Sequence, residues 1–306
     1  MKHGGVLLID KPTGPTSHDV VQKIRRKLHI RRVGHAGTLD PLASGLLVVC
    51  VSDATRVLEY LTAWEKGYTG EVVFGIGTDT DDADGKVVTT ASIGDLNDSQ
   101  VADAARKLTG TIQQTVPAYS AVHVNGKRAY ELARAGEEVD MPSREVHISS
   151  FRVGALEIDG DVAKARFEVV CSKGTYIRAL CRDLGELLNL PAHMASLRRT
   201  SVGVAKLADA VTLDAFLESD DPLQFLSSPL AYLSADRQVT VSRQVIERLA
   251  NGQQVSFSEV PMEPAELNDD DIVFISFEGD LAAVASVTGC SDGGQLKPKK
   301  VFWKRG

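Results

Sequence analysis

A chain of 306 residues can bury a sizeable core and divides naturally into about two domains. With 43% hydrophobic and 25% charged residues its composition is that of a soluble globular protein, and no apolar run approaches the ~18 residues of a membrane helix. The net charge of −7 argues against a surface that is basic throughout, and four cysteines without a C-x-x-C pair exclude a disulfide scaffold or a cysteine zinc site.

In chain order, Val6–Ile9 reads as a short strand, followed by the turn cluster Lys11-Pro12-Thr13-Gly14-Pro15. Ser17 is the expected cap of a helix over 19–28, whose apolar positions Val20, Val21, Ile24 and Leu28 keep helical spacing. The segment GHAGTLDPLASG (34–45) comes next, and then the apolar run 46–51, which reads as a buried strand. Ser52 or Asp53 is expected to cap a second helix through 63. Lys66–Ile76 reads as a strand, DADG (82–85) as a hairpin turn, and 98–108 as a helix.

Gly110–Ser120 reads as extended, with Pro117 arguing against an interior strand position. Residues 122–147 look like a polar surface excursion, a flap over a groove or a plain insertion. Ile148–Leu156 and Val162–Cys171 form the next hairpin, and SKGTYIRALCRDLGELL (172–188) turns at Gly174 into a helix. If Tyr176–Arg178 is still extended, Tyr176 and Arg178 share one face. Leu197–Arg199 falls in a further strand or turn. The segment 212–235 marks a boundary, and 236–306 reads as a small, mostly-β unit.

The charge is unevenly spread. Residues 1–35 hold eight Lys/Arg against two carboxylates, 164–199 hold seven against three, and the last sixteen residues five against one. Acidic residues gather in DTDDAD (79–84), ESDD (218–221) and the DDD of 269–271. Local basic faces of this kind are what a phosphate backbone needs.

No phosphate-binding loop, dinucleotide fingerprint or serine elbow is present. What stands out is one carboxylate, Asp40, in a glycine-rich loop before a core strand. Tyr68, Tyr176 and Arg178 arrive from other elements. An aromatic ring stacks on a planar base, and a guanidinium holds a carboxylate ionised. The ordinary reading of Asp40 is a cap, of His35 a structural loop residue, and of Tyr68, Tyr176 and Leu197 core positions.

These windows, LLIDKPTGPTSHDVV (7–21), GHAGTLDPLASGLLVV (34–49), EKGYTGEVVFGIGTDTDDADG (65–85), VPAYSAVHVNGKRAYELARAGEEV (116–139), CSKGTYIRALCRDLGELL (171–188) and LRRTSVG (197–203), resemble the bacterial tRNA pseudouridine synthase B family in the family's order. The resemblance implies an α+β fold: a large mixed, mainly antiparallel sheet flanked by helices, with a small mostly-β C-terminal domain of the PUA type. It implies a catalytic domain over 1–235, an RNA-gripping insertion at about 122–147, and an RNA-binding domain over 236–306. Thr69 departs from the arginine frequent there, and the acidic stretch around 259–271 has no place in the pattern.

Carried residue by residue, the resemblance makes Asp40 the catalytic carboxylate and Tyr68 the ring stacked on the target base. Tyr176 and Arg178 line the pocket, Arg178 pairs with a buried Asp40, His35 helps to open the RNA loop, Lys11 supports the pocket and Leu197 forms an apolar wall. The implied reaction isomerises a T-loop uridine of tRNA. Nothing is oxidised and no group leaves, so neither metal nor cofactor is required. The expected setting is a cytoplasmic monomer with tRNA as partner and no membrane. Two other readings stand beside it: a tRNA-folding factor in which modification is secondary, and a synthase acting on another RNA.

Overall fold

The computed structural model describes residues 4–120, 122–124, 126–135, 140–261 and 267–304. Its main sheet has eleven strands. The path across it runs Val211–Thr212, Gly5–Lys11, Ser44–Val51, Ala192–Val202, Lys66–Phe74, Val162–Cys171, Ser143–Val153, Gly110–Thr115. Pairing is antiparallel except at Gly5–Lys11 with Val211–Thr212 and at Ser44–Val51 with Ala192–Val202. Gly110–Thr115 is an edge strand, so Pro117 just beyond it breaks no ladder.

The run 46–51 is apolar without alternation because both its faces are covered. Leu47, Val49 and Val51 pack with Leu7 and Ile9 under helix Ser17–Leu28. Leu46, Val48 and Cys50 face the other way, into a cluster completed by Leu233, Phe274, Leu281, Val284 and Phe302. Further along, Val72, Phe74, Ala165, Phe167 and Val169 are covered by helices Asp98–Lys107 and Ile177–Leu187.

The C-terminal part is a mostly-β domain. Its five-stranded sheet has the order Gln238–Thr240, Ile272–Phe277, Asp280–Thr288, Gln295–Val301, Val255–Ser256, with helix Arg243–Ala250 packed against it. It is keyed to the main sheet by Arg56, whose Nη1 donates to the Val301 carbonyl at 2.7 Å and whose guanidinium lies 4.7 Å from the Phe302 ring centroid. Among the described residues no helix is long and apolar enough to cross a membrane.

Several local expectations change. Thr16, not Ser17, caps the first helix, in a capping box with Asp19. Ser17 sits inside the helix because its hydroxyl is engaged elsewhere: Oγ accepts from the Leu39 N–H at 2.8 Å and donates to the Leu39 carbonyl at 2.9 Å. The helix expected after Ser52 is a 3-10 turn, Ser52–Val57, and then a five-residue helix, Leu58–Thr62. No side chain caps either piece. The strand expected to reach Ile76 stops at Phe74, where Gly75 turns the chain at φ +96°. The excursion 122–147 is not wholly separate, since its last five residues already belong to the main-sheet strand Ser143–Val153. Positions 121, 125 and 136–139, and 262–266 of the acidic stretch, lie outside the described residues.

Candidate active site

The loop carrying Asp40 is pinned from three sides. Ser17 holds Leu39 from the first helix. The Gly14 N–H donates to the Pro41 carbonyl at 2.8 Å. From below, Arg199 on strand Ala192–Val202 donates from Nε to the Leu46 carbonyl at 2.7 Å, from Nη1 to Thr38 at 3.3 Å and from Nη2 to Gly37 at 3.1 Å. Gly45 has φ +98°, and a Cβ there would collide with the Arg199 backbone. Only glycine allows the two chains to cross at this point.

Asp40 opens into a cavity of about 230 Å³ walled by Thr38, Leu39, Tyr68, Tyr119, Ser120, Thr175, Tyr176, Ile177, Arg178 and Leu197. The structure therefore brings Asp40, Tyr68, Tyr176, Arg178 and Leu197 to one pocket from four separate stretches of chain. Lys11 and His35 are not among its walls. Lys11 is fully buried behind the loop, with Nζ donating to the carbonyls of Pro12 and Pro15, both at 2.8 Å. Burial draws its pKa down to about 8, against the pull of the nearby Asp40 charge. His35 ends strand Val33–His35, and burial, then the Arg199 charge, lowers its pKa below the ordinary value.

Arg178 is the hub. Its Nε lies 3.2 Å from Asp40 Oδ2, and its Nη1 lies 3.4 Å from Asp82 Oδ2. Nη1 and Nη2 also donate to the carbonyls of Thr80 and Tyr119, each at 3.1 Å. The Nε contact is an ion pair without hydrogen-bond alignment. The extended conformation considered for 176–178 holds only for Tyr176, because the helix starts at Ile177. Arg178 is thus a cation in the first turn of a helix, where the macrodipole opposes it. Two carboxylates offset that cost.

Asp40 differs from the buried residue that the resemblance implied. Its side chain is 42% exposed at the pocket mouth, while those of Arg178 and Asp82 are 7% and 8% exposed. The buried ion pair is Arg178–Asp82, and Asp40 is its solvent-facing branch. Tyr176 is fixed through its backbone: its N–H donates to Gln114 Oε1 at 2.9 Å, and Gln114 Nε2 donates back to its carbonyl at 3.1 Å. The Arg144 guanidinium lies 5.0 Å from the centre of its ring. Tyr68 is buried beside Arg199, and burial raises its hydroxyl pKa despite that cation.

Sequence reasoning passes over Asp82, Arg199 and Gln114. Asp82 lies in DTDDAD, which reads as solvated acidic surface, yet it is 5% exposed; Thr80 Oγ1 donates to its Oδ1 at 2.6 Å. Arg199 counts toward a basic face in the sequence but is 1% exposed. The one available signal for Asp82 is the Thr-Asp alternation of 78–82 before an Asp-Gly turn, a pattern of side chains that bond to their own backbone. Among the described residues no cluster of His, Cys, Asp and Glu could hold a metal ion.

A family model described as "TruB family pseudouridylate synthase (N terminal domain)" matches residues 25–177. A second, "tRNA pseudouridylate synthase B C-terminal domain", matches residues 178–225. The chain is 41% identical to the tRNA pseudouridine synthase B of Geobacillus thermodenitrificans, over 97% of this chain and 99% of that protein. It is 42% identical to that of Moorella thermoacetica over the same shares. A crystal structure of a Cbf5–Nop10–Gar1 complex contains a chain that superposes with TM-score 0.75 at 25% identity, covering 99% of this chain and 86% of that one. The architecture is the pseudouridine synthase fold. Matched by both models in succession and by these relatives from end to end, the chain belongs to the TruB family of pseudouridylate synthases.

Proposed function

We propose that this protein is a tRNA pseudouridine synthase that isomerises a T-loop uridine, working in the cytosol as a single chain. The carrying observation is one carboxylate, Asp40, held 3.2 Å from Arg178 at the open mouth of a pocket with an aromatic wall. At about 230 Å³ that pocket is below the ~300–1,000 Å³ of a drug-sized site and is scaled to a single base. The relatives' name supplies the substrate class.

The target uridine is stacked in its loop, and turning it out costs about a few kcal/mol. Stacking on Tyr68 offsets this by about 1–3 kcal/mol, and phosphate contacts supply the rest. Arg178, itself anchored by Asp82, keeps a positive charge 3.2 Å from Asp40 as the RNA covers it. Two routes use that carboxylate, attack at ribose C1′ or removal of the C2′ proton, and both break the bond from C1′ to uracil N1. The pocket retains the freed base, which turns and bonds through C5, and the C5 proton is released. Leu197 and Ile177 are apolar walls that keep water from the intermediate. Lys11, His35 and Tyr176 support the pocket from behind and beside it, and the C-terminal domain serves as the PUA-like RNA grip.

The test is tritium release from tRNA labelled at uridine C5. Wild-type protein is expected to release one tritium per T-loop target, with little release from unrelated RNA. Binding without release would favour the RNA-folding reading, and equal release from other RNAs would remove the tRNA assignment.

A further inference from the structure

The first helix is tied to the catalytic loop at its N-terminus through Ser17 and Leu39. Its core side is Val20, Val21 and Ile24. Successive residues turn by about 100°, so His18, Gln22, Arg25 and His29 form a stripe along one flank of that side, and Arg26 lies opposite the core side. From position 18 to 29 that stripe is about 16 Å long at 1.5 Å per residue. His18 begins it close enough to His35 for the two rings to interact electrostatically. Gln22, Arg25, Arg26, His29, Ile30 and Arg31 line one shallow depression at its far end, without a carboxylate among them.

Two of these cations have no structural employment. Arg25 is committed, its Nη2 donating to the Val33 carbonyl at 2.8 Å. Arg26 and Arg31 are exposed, and among the described residues their side chains meet no acid. Just past the stripe, Arg32 pairs with Asp53 at 2.9 Å, and Asp53 in turn lies 3.9 Å from Lys304 of the C-terminal domain. The stripe therefore runs from the helix end that is tied to the Asp40 loop toward the C-terminal domain.

We infer that the outer stripe of helix Ser17–Leu28, with Arg31, is a phosphate track that carries the RNA strand from the pocket toward the C-terminal domain. This rests on the RNA-modifying reading above. Charge complementarity selects the occupant: the exposed guanidiniums of Arg26 and Arg31, beside the side chains of Gln22 and His29 and with no carboxylate lining the same depression, match the phosphates of an RNA backbone. The contacts are with phosphates, so they carry affinity and register and no base preference.

The test uses the full chain and whole tRNA, comparing wild type, the double variant Arg26→Ala/Arg31→Ala, and a charge-matched control, Lys86→Ala/Lys107→Ala, on surfaces away from the stripe. Affinity is read by filter binding across a salt series, and turnover by tritium release at saturating tRNA. The stripe variant is expected to bind about tenfold more weakly near 0.1 M salt, with the slope of log affinity against log salt reduced by about two. The control keeps the wild-type slope, and the saturated rate is the same in all three. A stripe variant with wild-type affinity and slope overturns the inference, as does a control that loses as much. A wild-type protein that binds with the stripe-dependent slope yet releases no tritium would instead sink the isomerase reading and support the track.

Discussion

Arg199 is a charge with 1% of its surface exposed, and its guanidinium donates to three backbone carbonyls, those of Gly37, Thr38 and Leu46. Burying a cation without a carboxylate is costly, so its persistence needs the geometry that it imposes. That geometry is the path of the chain on both sides of Asp40. A lysine keeps the charge but cannot reach three carbonyls from one planar fork. Arg199→Lys is therefore expected to lower the single-turnover rate on tRNA about 100-fold, the usual cost of misplacing a reacting group by about 1 Å, with tRNA affinity within about twofold of wild type. A wild-type rate would show that the loop holds itself. Asp40 is legible in the sequence because glycines, a proline and a core strand surround it. Arg199 and Asp82 are not, since a charged letter in a charged run says nothing of its burial. Only the fold decides which of Arg198 and Arg199, adjacent on one strand, faces inward.

Between elements, the contact that matters most is Ser17 to Leu39, which registers the first helix against the Asp40 loop. Ser17→Ala leaves a buried N–H and a buried carbonyl without their partner, at a cost of about 1–3 kcal/mol. Urea denaturation is expected to show that loss, and the saturated rate should fall with it because Leu39 adjoins Asp40. A variant equal to wild type in both would remove the helix from the site. Helices with a periodic apolar face, such as Asp98–Lys107, are visible in sequence to within a residue or two. Elements set by long-range pairing are less so. Strand Ser143–Val153 begins five residues early because Gly110–Thr115 is there to pair with it, and only Tyr176, clamped by Gln114 more than sixty positions away, stays extended while Ile177 and Arg178 enter the helix.

At the scale of the molecule, the net charge of −7 hides a division between acidic surface and a buried basic cluster, Lys11, Lys66 and Arg199, around the Asp40 loop. Lys11 and Lys66 are both drawn down to about 8 from 10.5, chiefly by burial. Between those values the unfolded chain holds more protons than the fold, so raising the pH relieves the cost of burying them. His35, lowered from 6.5 by burial, acts in the same direction below that value. The thiols act oppositely: burial raises Cys50 from 9.0 to about 12 and Cys171 to about 11, so stability is lost as the pH climbs above 9. The urea midpoint is thus expected to rise from about pH 7 to about pH 9 and to fall beyond it. A midpoint that declines steadily from pH 7 would mean that these lysines are solvated. Domain arrangement was only partly readable, since residues 233, 274, 281, 284 and 302 share a core with the first strands, a contact that no local pattern announces.

The most direct measurement is tritium release by Asp40→Asn, alongside its affinity for tRNA. The substitution preserves size and removes the charge that Arg178 faces at 3.2 Å. Pseudouridine formation is expected to vanish while tRNA binding stays within a few-fold of wild type. Substantial turnover by that variant would contradict a catalytic role for this carboxylate.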